Sequence, residues 1–194
     1  MFTGIISHLG TITKKTADSL SVKAEKSLMS RLSLGMSVAV NGICLTVVKH
    51  DDSEFIIEFM PETAQKTNID AWNVSDIVNL ELPATPETML AGHIVQGHVD
   101  GLGLIKDITK EGVSNIVAIS VDDALTKYIV PKGSITINGI SLTVISIADS
   151  VLTVGIIPHT WQHTNLHAMR KGDYVTIEVD VFAKYVEKLI KNNI

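Results

Sequence analysis

Hydrophobic and polar residues alternate along most of the chain in short runs rich in Val, Ile, Leu and Thr. The clearest are Ser37-Val38-Ala39-Val40, Leu45-Thr46-Val47-Val48, Phe55-Ile56-Ile57-Glu58-Phe59 and Ile77-Val78-Asn79-Leu80-Glu81. Asn41-Gly42, Asp51-Asp52-Ser53 and Asn138-Gly139 punctuate such runs. Period-two runs joined by Asn-Gly pairs predict antiparallel strands linked by tight turns, because the central turn positions need the positive φ that Asn and Gly tolerate. Short helical turns are expected at 27–32 and 123–130. After Asp180 the period changes, with Phe182, Tyr185, Val186, Leu189 and Ile190 spaced by three and one. That spacing predicts an amphipathic helix over 181–194 capped by Asp180. A helix so short is not stable alone, so its apolar stripe must cover its own domain or meet the same helix of other subunits.

The chain also repeats. Asn41-Gly42-Ile43-Cys44-Leu45-Thr46-Val47 returns as Asn138-Gly139-Ile140-Ser141-Leu142-Thr143-Val144, a shift of 97. The same shift carries Met60–Asn68 onto Ile157–Asn165 and Asp76–Glu81 onto Asp173–Glu178. A constant offset predicts two gapless copies of one domain; a solenoid would need more and shorter units. Each copy has room for about six strands, which suits a small Greek-key barrel that closes its own edges. The fold expected is therefore all-β, with two similar six-stranded antiparallel Greek-key barrels at 1–96 and 97–180, followed by the C-terminal helix.

Charge and composition narrow the function. With 16 Lys and Arg against 21 Asp and Glu, the net charge is -5, so no broad cationic field faces nucleic acid or anionic lipid. No stretch approaches the roughly 18 uninterrupted apolar residues of a membrane helix, and Met1–Ile6 lacks a basic leader, so a soluble cytoplasmic protein is expected. The lone Cys44 can form neither an internal disulfide nor a multi-thiolate metal site. The chain has no phosphate-binding Gly-Lys-Ser/Thr loop and no Gly-x-Ser-x-Gly elbow. Gly101-Leu102-Gly103 lacks the third glycine of a dinucleotide loop and leads into a strand pattern.

The candidate chemistry sits where the copies differ. Cys44 and Ser141 occupy equivalent strand starts after an Asn-Gly turn, each with a Thr two residues on that points to the same side. Either they are small residues packed beside a turn, or they present polar atoms to a ligand. His93 and His98 lie at the junction of the copies beside Gly92 and Gly97, and read equally as hydrogen-bonders of a linker or as proton shuttles. His159, His163 and His167 have the spacing of one helix face, which could invite a metal. The other copy has no histidine there, and Pro158 favours a polar loop with a single turn.

Read together, several blocks resemble the riboflavin synthase family of the alpha-chain type, which also contains the lumazine proteins. They are Met1-Phe2-Thr3-Gly4-Ile5, the paired Asn-Gly-Ile-Cys/Ser-Leu-Thr-Val runs, the junction Gly92–Gly101, Pro61-Glu62-Thr63, Pro158-His159-Thr160 and the ending Ile177–Leu189. The resemblance covers essentially the whole chain. It implies a homotrimer held partly by the C-terminal helix at 181–194. Each active site would dismutate two molecules of 6,7-dimethyl-8-ribityllumazine into riboflavin and 5-amino-6-(ribitylamino)uracil without metal or organic cofactor. An association with lumazine synthase is possible in this family. Two facing pockets would be supplied by different subunits. The N-barrel pocket would comprise Gly4, Ile5, Ile6, Cys44, Leu45, Thr46, Glu58, Phe59, Met60, Pro61, Glu62 and Thr63, with Gly97, His98 and Val99 at the crossover. The C-barrel pocket would comprise Ser141, Leu142, Thr143, Gly155, Ile156, Ile157, Pro158, His159 and Thr160, with Lys132 reaching in from the adjacent chain. His98 would do acid–base work, Cys44 or Ser141 would supply or orient the nucleophile, and Asp180 would position a hydroxyl or a water. A non-catalytic antenna protein of the same fold is the rival reading. A flavin-reductase barrel would need a nicotinamide-binding half that the chain lacks.

Overall fold

The computed structural model describes residues 1–191, so the last three positions of the expected helix lie outside the described residues. The first barrel is built from β1 (His8–Lys15), β2 (Ser19–Ala24), β3 (Ser37–Val40), β4 (Ile43–His50), β5 (Glu54–Glu58) and β6 (Ile77–Glu81). The second uses β7 (Gly101–Glu111), β8 (Ser114–Val121), β9 (Ser134–Ile137), β10 (Ile140–Ala148), β11 (Val151–Ile156) and β12 (Tyr174–Val179). Both close antiparallel in the same order, β1-β2-β5-β4-β3-β6 and its equivalent, which is the expected pair of six-stranded Greek-key barrels. Strand alternation fills each barrel: Ile43, Leu45 and Val47 point inward while Cys44 is half-buried and Thr46 exposed on the outer face. Short helices α1 (Lys26–Met29), α2 (Pro61–Lys66), α3 (Asp123–Thr126) and α4 (Pro158–His163) sit in the connections. The His159 segment is thus a helix followed by a 3-10 turn rather than a loop, started by Pro158 at a position where no N–H is needed.

The two Asn-Gly turns do more than reverse the chain. They meet back to back between the barrels, with Asn41 and Gly42 at φ of 46° and 77° and Asn138 and Gly139 at 47° and 80°. A Cβ on Gly42 would lie 2.6 Å from the Gly139 backbone nitrogen. Around the contact, buried Asn79 donates to the Asn138 carbonyl (2.9 Å) and the Asn165 side chain (2.9 Å), and Asn41 Oδ1 accepts from the Asn79 amide (2.7 Å). Every donor so buried needs a partner, and this amide network supplies them.

The copies are not gapless. Gly10 pairs with Ala24, fourteen residues on, whereas the equivalent Gly103 pairs with Val121, eighteen residues on. Four residues inserted in the β7–β8 hairpin lower the offset from 97 to 93 for everything before it. Phe2 is therefore the counterpart of Val95, and these two pair directly as an antiparallel bridge.

The final helix, α5 (Val181–Lys191), starts as expected, with the Phe182 amide on Asp180 Oδ1 at 2.9 Å. Its polar side faces the barrel. Lys184 pairs with Asp100 (2.6 Å), and Glu187 accepts from Lys127 (2.5 Å), Lys191 (2.7 Å) and the Tyr128 hydroxyl. Phe182, Tyr185, Val186, Leu189 and Ile190 are each more than half exposed. Of the two expected arrangements, the stripe does not pack on its own barrel. The donors around Glu187 lower its carboxyl pKa to about 2, Lys127 contributing most. A depressed carboxyl stabilises at pH above the unfolded value near 4.5, and the contribution fades as pH falls toward 2. A carboxyl titration followed by NMR should find Glu187 still ionised at pH 3.5, and Lys127→Ala should move its midpoint back up. Among the described residues no helix is long and apolar enough to cross a membrane.

Candidate functional site

Two short straps and two buried glutamates organise the sites. Thr3 and Gly4 give their amides to Glu81 at the end of β6 (2.7 and 3.0 Å), and the Thr3 hydroxyl adds a third bond (2.7 Å). In the other copy Gln96, Gly97 and His98 give their amides to Glu178 in β12 at 2.6, 2.9 and 3.1 Å. Burial pushes both carboxyls above the ordinary glutamate range, opposed by these same hydrogen bonds. Each strap, anchored to one barrel, then crosses to the other. The Gly4 carbonyl accepts from the Ser141 amide (2.8 Å), and the Gly97 carbonyl accepts from the Cys44 amide (2.9 Å). Ile6 packs on the second core and Val99 on the first. Gly4 and Gly97 both have φ of 76°, and a Cβ on either would strike Ser141 or Cys44 at 2.6–2.7 Å. Only glycine allows this approach.

The straps redistribute the expected site residues. Gly4, Ile5 and Ile6 were grouped with Cys44 by the resemblance, yet the structure sets this segment against Ser141 of the second barrel. Gly97 and Val99 lie on the first-barrel side, the Gly97 carbonyl on the Cys44 amide and Val99 against the first core, with His98 between them. The cause is the exchange of straps, which linear order conceals. Cys44 and Thr46 share the outer face of β4, with Thr46 opposite Glu58 of β5. Met60, Pro61, Glu62 and Thr63 follow as the start of α2. Ser141, Thr143, Gly155 and Ile157–Thr160 repeat this arrangement on β10, β11 and α4. Leu45, Phe59, Leu142 and Ile156 have their side chains in the barrel cores, so they can offer a ligand only backbone atoms. Lys132 stands on an exposed turn with φ of 66°, its amide on the Val144 carbonyl (2.8 Å). A cavity of about 400 Å³ between the barrels, bordered by Trp72, Asp76, Met169, Asp173 and Tyr174, includes none of these residues.

Polar chemistry differs between the copies. Ser141 Oγ lies 2.7 Å from His93 Nδ1, whose Nε2 is 3.1 Å from the hydroxyl of buried Thr136. Burial lowers the His93 pKa, partly offset by the negative charge of Asp180. Cys44 has no hydrogen-bond partner for its thiol among the described residues. His98, expected to act as acid and base, is exposed. His159 and His163 stack at 4.2 Å, and the described residues contain no cluster of three or more His, Cys, Asp or Glu that could hold a metal.

A lumazine-binding domain model matches residues 3–83 and again 96–180. The chain belongs to the lumazine-binding domain family. The doubled match coincides with the two barrels and begins, both times, at the strap residue whose amide binds a buried glutamate. Among curated relatives of this family, riboflavin synthase of Photobacterium leiognathi is 38% identical over 98% of this chain and 89% of its own. That of Bacillus amyloliquefaciens is 39% identical over 98% and 90%. The structure is also similar to LumP complexed with riboflavin, at a TM-score of 0.85, 26% identity and coverage of 92% of this chain and 99% of LumP. LumP complexed with 6,7-dimethyl-8-(1'-D-ribityl) lumazine gives a TM-score of 0.84 at 25% identity.

Proposed function

We propose that this chain is a cytoplasmic riboflavin synthase that converts two molecules of 6,7-dimethyl-8-ribityllumazine into riboflavin and 5-amino-6-(ribitylamino)uracil. The single observation that carries this reading is the pair of pseudo-equivalent outer-face sites, each walled by a strap from the opposite barrel. A reaction between two copies of one molecule is served by two copies of one site. One lumazine passes a four-carbon unit to the other, and the two products together hold every atom of the two substrates, so no oxidant, metal or organic cofactor is called for.

Backbone groups at Leu45, Leu142, Gly155 and Ile156 suit the ring edge, and the hydroxyls of Thr46, Thr63, Thr143 and Thr160 suit the neutral ribityl chain. Cys44, Ser141, His98 and Asp180 remain the candidates for polar work on the 7-methyl proton of one lumazine and on C7 of the other. A first-barrel site of one subunit faces a second-barrel site of its neighbour, with the neighbour's Lys132 completing it. Holding both reactants in attack geometry supplies roughly 7–11 kcal/mol of the barrier. The outward stripe of α5, from Phe182 to Ile190, supports assembly of a homotrimer through helix contacts, and the trimer can in turn associate with lumazine synthase. The test is direct: purified protein and the lumazine alone should develop the longer-wavelength absorbance of riboflavin. A non-catalytic binder of the LumP kind would perturb lumazine fluorescence and form no product.

A further inference from the structure

We propose that His93 takes the hydroxyl proton of Ser141, so that of the two equivalent sites the second-barrel one alone carries an oxygen nucleophile with its own base; this rests on the reading of the chain as a lumazine dismutase. The contact is short and directional, with Nδ1 2.7 Å from Ser141 Oγ. A neutral imidazole has one donor and one acceptor nitrogen. Each ring nitrogen faces a hydroxyl; in the proposed arrangement the proton sits on Nε2, toward the Thr136 hydroxyl at 3.1 Å, so that Nδ1 is the acceptor facing Ser141. Thr136 is 1% exposed and fixed in β9, so the ring is oriented from behind.

The backbone enforces this placement. The His93 amide is on the Thr3 carbonyl at 3.2 Å, and a Cβ on the preceding Gly92 would lie 2.1 Å from that carbonyl oxygen and 3.1 Å from Ser141 Oγ. Glycine at 92 lets the crossover pass close enough for the next residue to reach the hydroxyl. Burial favours the uncharged ring, and Asp180 is the charged group acting against that preference. His93 is consequently neutral, and able to accept, at neutral pH.

In the proposed step the Ser141 Oγ–C7 bond forms as the Oγ–H bond breaks. The proton passes to Nδ1, and the displaced π pair moves into the conjugated nitrogens and carbonyls of the lumazine. On release the pair returns, the Oγ–C7 bond breaks and His93 gives the proton back; nothing is oxidised or reduced. Cys44, the counterpart of Ser141, has no histidine hydrogen-bonded to its thiol among the described residues, which makes the two half-sites chemically unequal despite their common fold.

The experiment compares wild type with His93→Asn, which retains a hydrogen-bond acceptor near the Nδ1 position without a base. kcat should fall about 100-fold with KM little changed. The wild-type kcat profile should show an acid limb below the ordinary histidine value of about 6.5, and that limb should disappear in the variant. Ser141→Cys placed in the His93→Asn background should recover part of the rate, because a thiol ionises closer to neutral pH without help. In wild-type protein, ¹⁵N NMR should show Nε2 protonated and Nδ1 bare, with Nδ1 shifting in Ser141→Ala. Wild-type kcat in His93→Asn with its acid limb in place, or a proton found on Nδ1, overturns the proposal. If wild type itself forms no riboflavin, it is the dismutase reading that fails, and the nitrogen spectrum still decides where the proton sits.

Discussion

Replacing Glu178 in the second barrel should disable the site on the first. Glu178→Ala leaves the amides of Gln96, Gly97 and His98 without their acceptor in a mostly buried place. At about 1 kcal/mol or more for each stranded donor, the strap loses on the order of 3 kcal/mol and swings free. What it uncovers is Cys44, whose amide is held by the Gly97 carbonyl and whose Cβ would otherwise be pressed by any side chain at 97. Since Cys44 is the sole cysteine, its rate of modification by a thiol reagent reads the strap directly and should rise about a hundredfold. Glu81→Ala should leave that rate unchanged. It should instead free Thr3 and Gly4, expose the Ser141 side and make the N-terminus susceptible to proteolysis. Both variants should lose most riboflavin formation, each through the opposite barrel. Glu178→Gln should lie between, since one acceptor oxygen remains. The raised carboxyl pKa values set the sign in acid: a group that binds its proton more tightly when folded costs least stability below the unfolded value near 4.5, and more as pH rises through its folded value. Mild acid should therefore not release either strap. Exposure of Cys44 by Glu81→Ala in place of Glu178→Ala would sink the crossed arrangement.

The parts of the fold that follow local rules were open to sequence reading. Alternation placed the strands, Asn41-Gly42 and Asn138-Gly139 marked two turns, and the three-and-one spacing after Asp180 marked α5. The straps follow no local rule. Thr3-Gly4 and Gln96-Gly97 are equivalent only at an offset of 93, and the 97-residue repeat passes over them because the four extra residues of the β7–β8 hairpin fall between the second strap and most of its copy. The matched glycines, each ahead of a strand and opposite a strand-end glutamate, were the available signal. Glu81 and Glu178 are polar positions near the C-terminal end of a strand, and nothing in their sequence neighbours discloses burial. His93 and His98 could not be ranked from spacing, because the contact to Ser141 spans 48 residues and is created by the path of the crossover. The outward turn of the α5 stripe was undecidable for a similar reason: Lys127, Tyr128 and Asp100, which hold its polar side, are remote in sequence.

Gly42→Ala should be among the most destabilising single-methyl additions in the molecule. An L-residue at φ of 77° costs about 1 kcal/mol by itself. The added carbon would also lie 2.6 Å from the Gly139 nitrogen and 2.8 Å from its Cα, contacts with backbone that no rotamer change relieves. The barrels must part, which pulls the buried Asn41, Asn79, Asn138 and Asn165 bonds out of register and strands their donors. We expect a loss of about 3–5 kcal/mol in urea unfolding, combining strain with broken buried hydrogen bonds. Gly35→Ala is the internal control: its φ is 79°, but nothing lies within 4 Å of its Cβ position, so it should lose only the conformational part. Gly139→Ala should match Gly42→Ala, and the double variant should cost far less than the sum, because once the barrels have separated the second methyl meets nothing new. Equal losses for Gly42→Ala and Gly35→Ala would mean that the turns do not bear on each other.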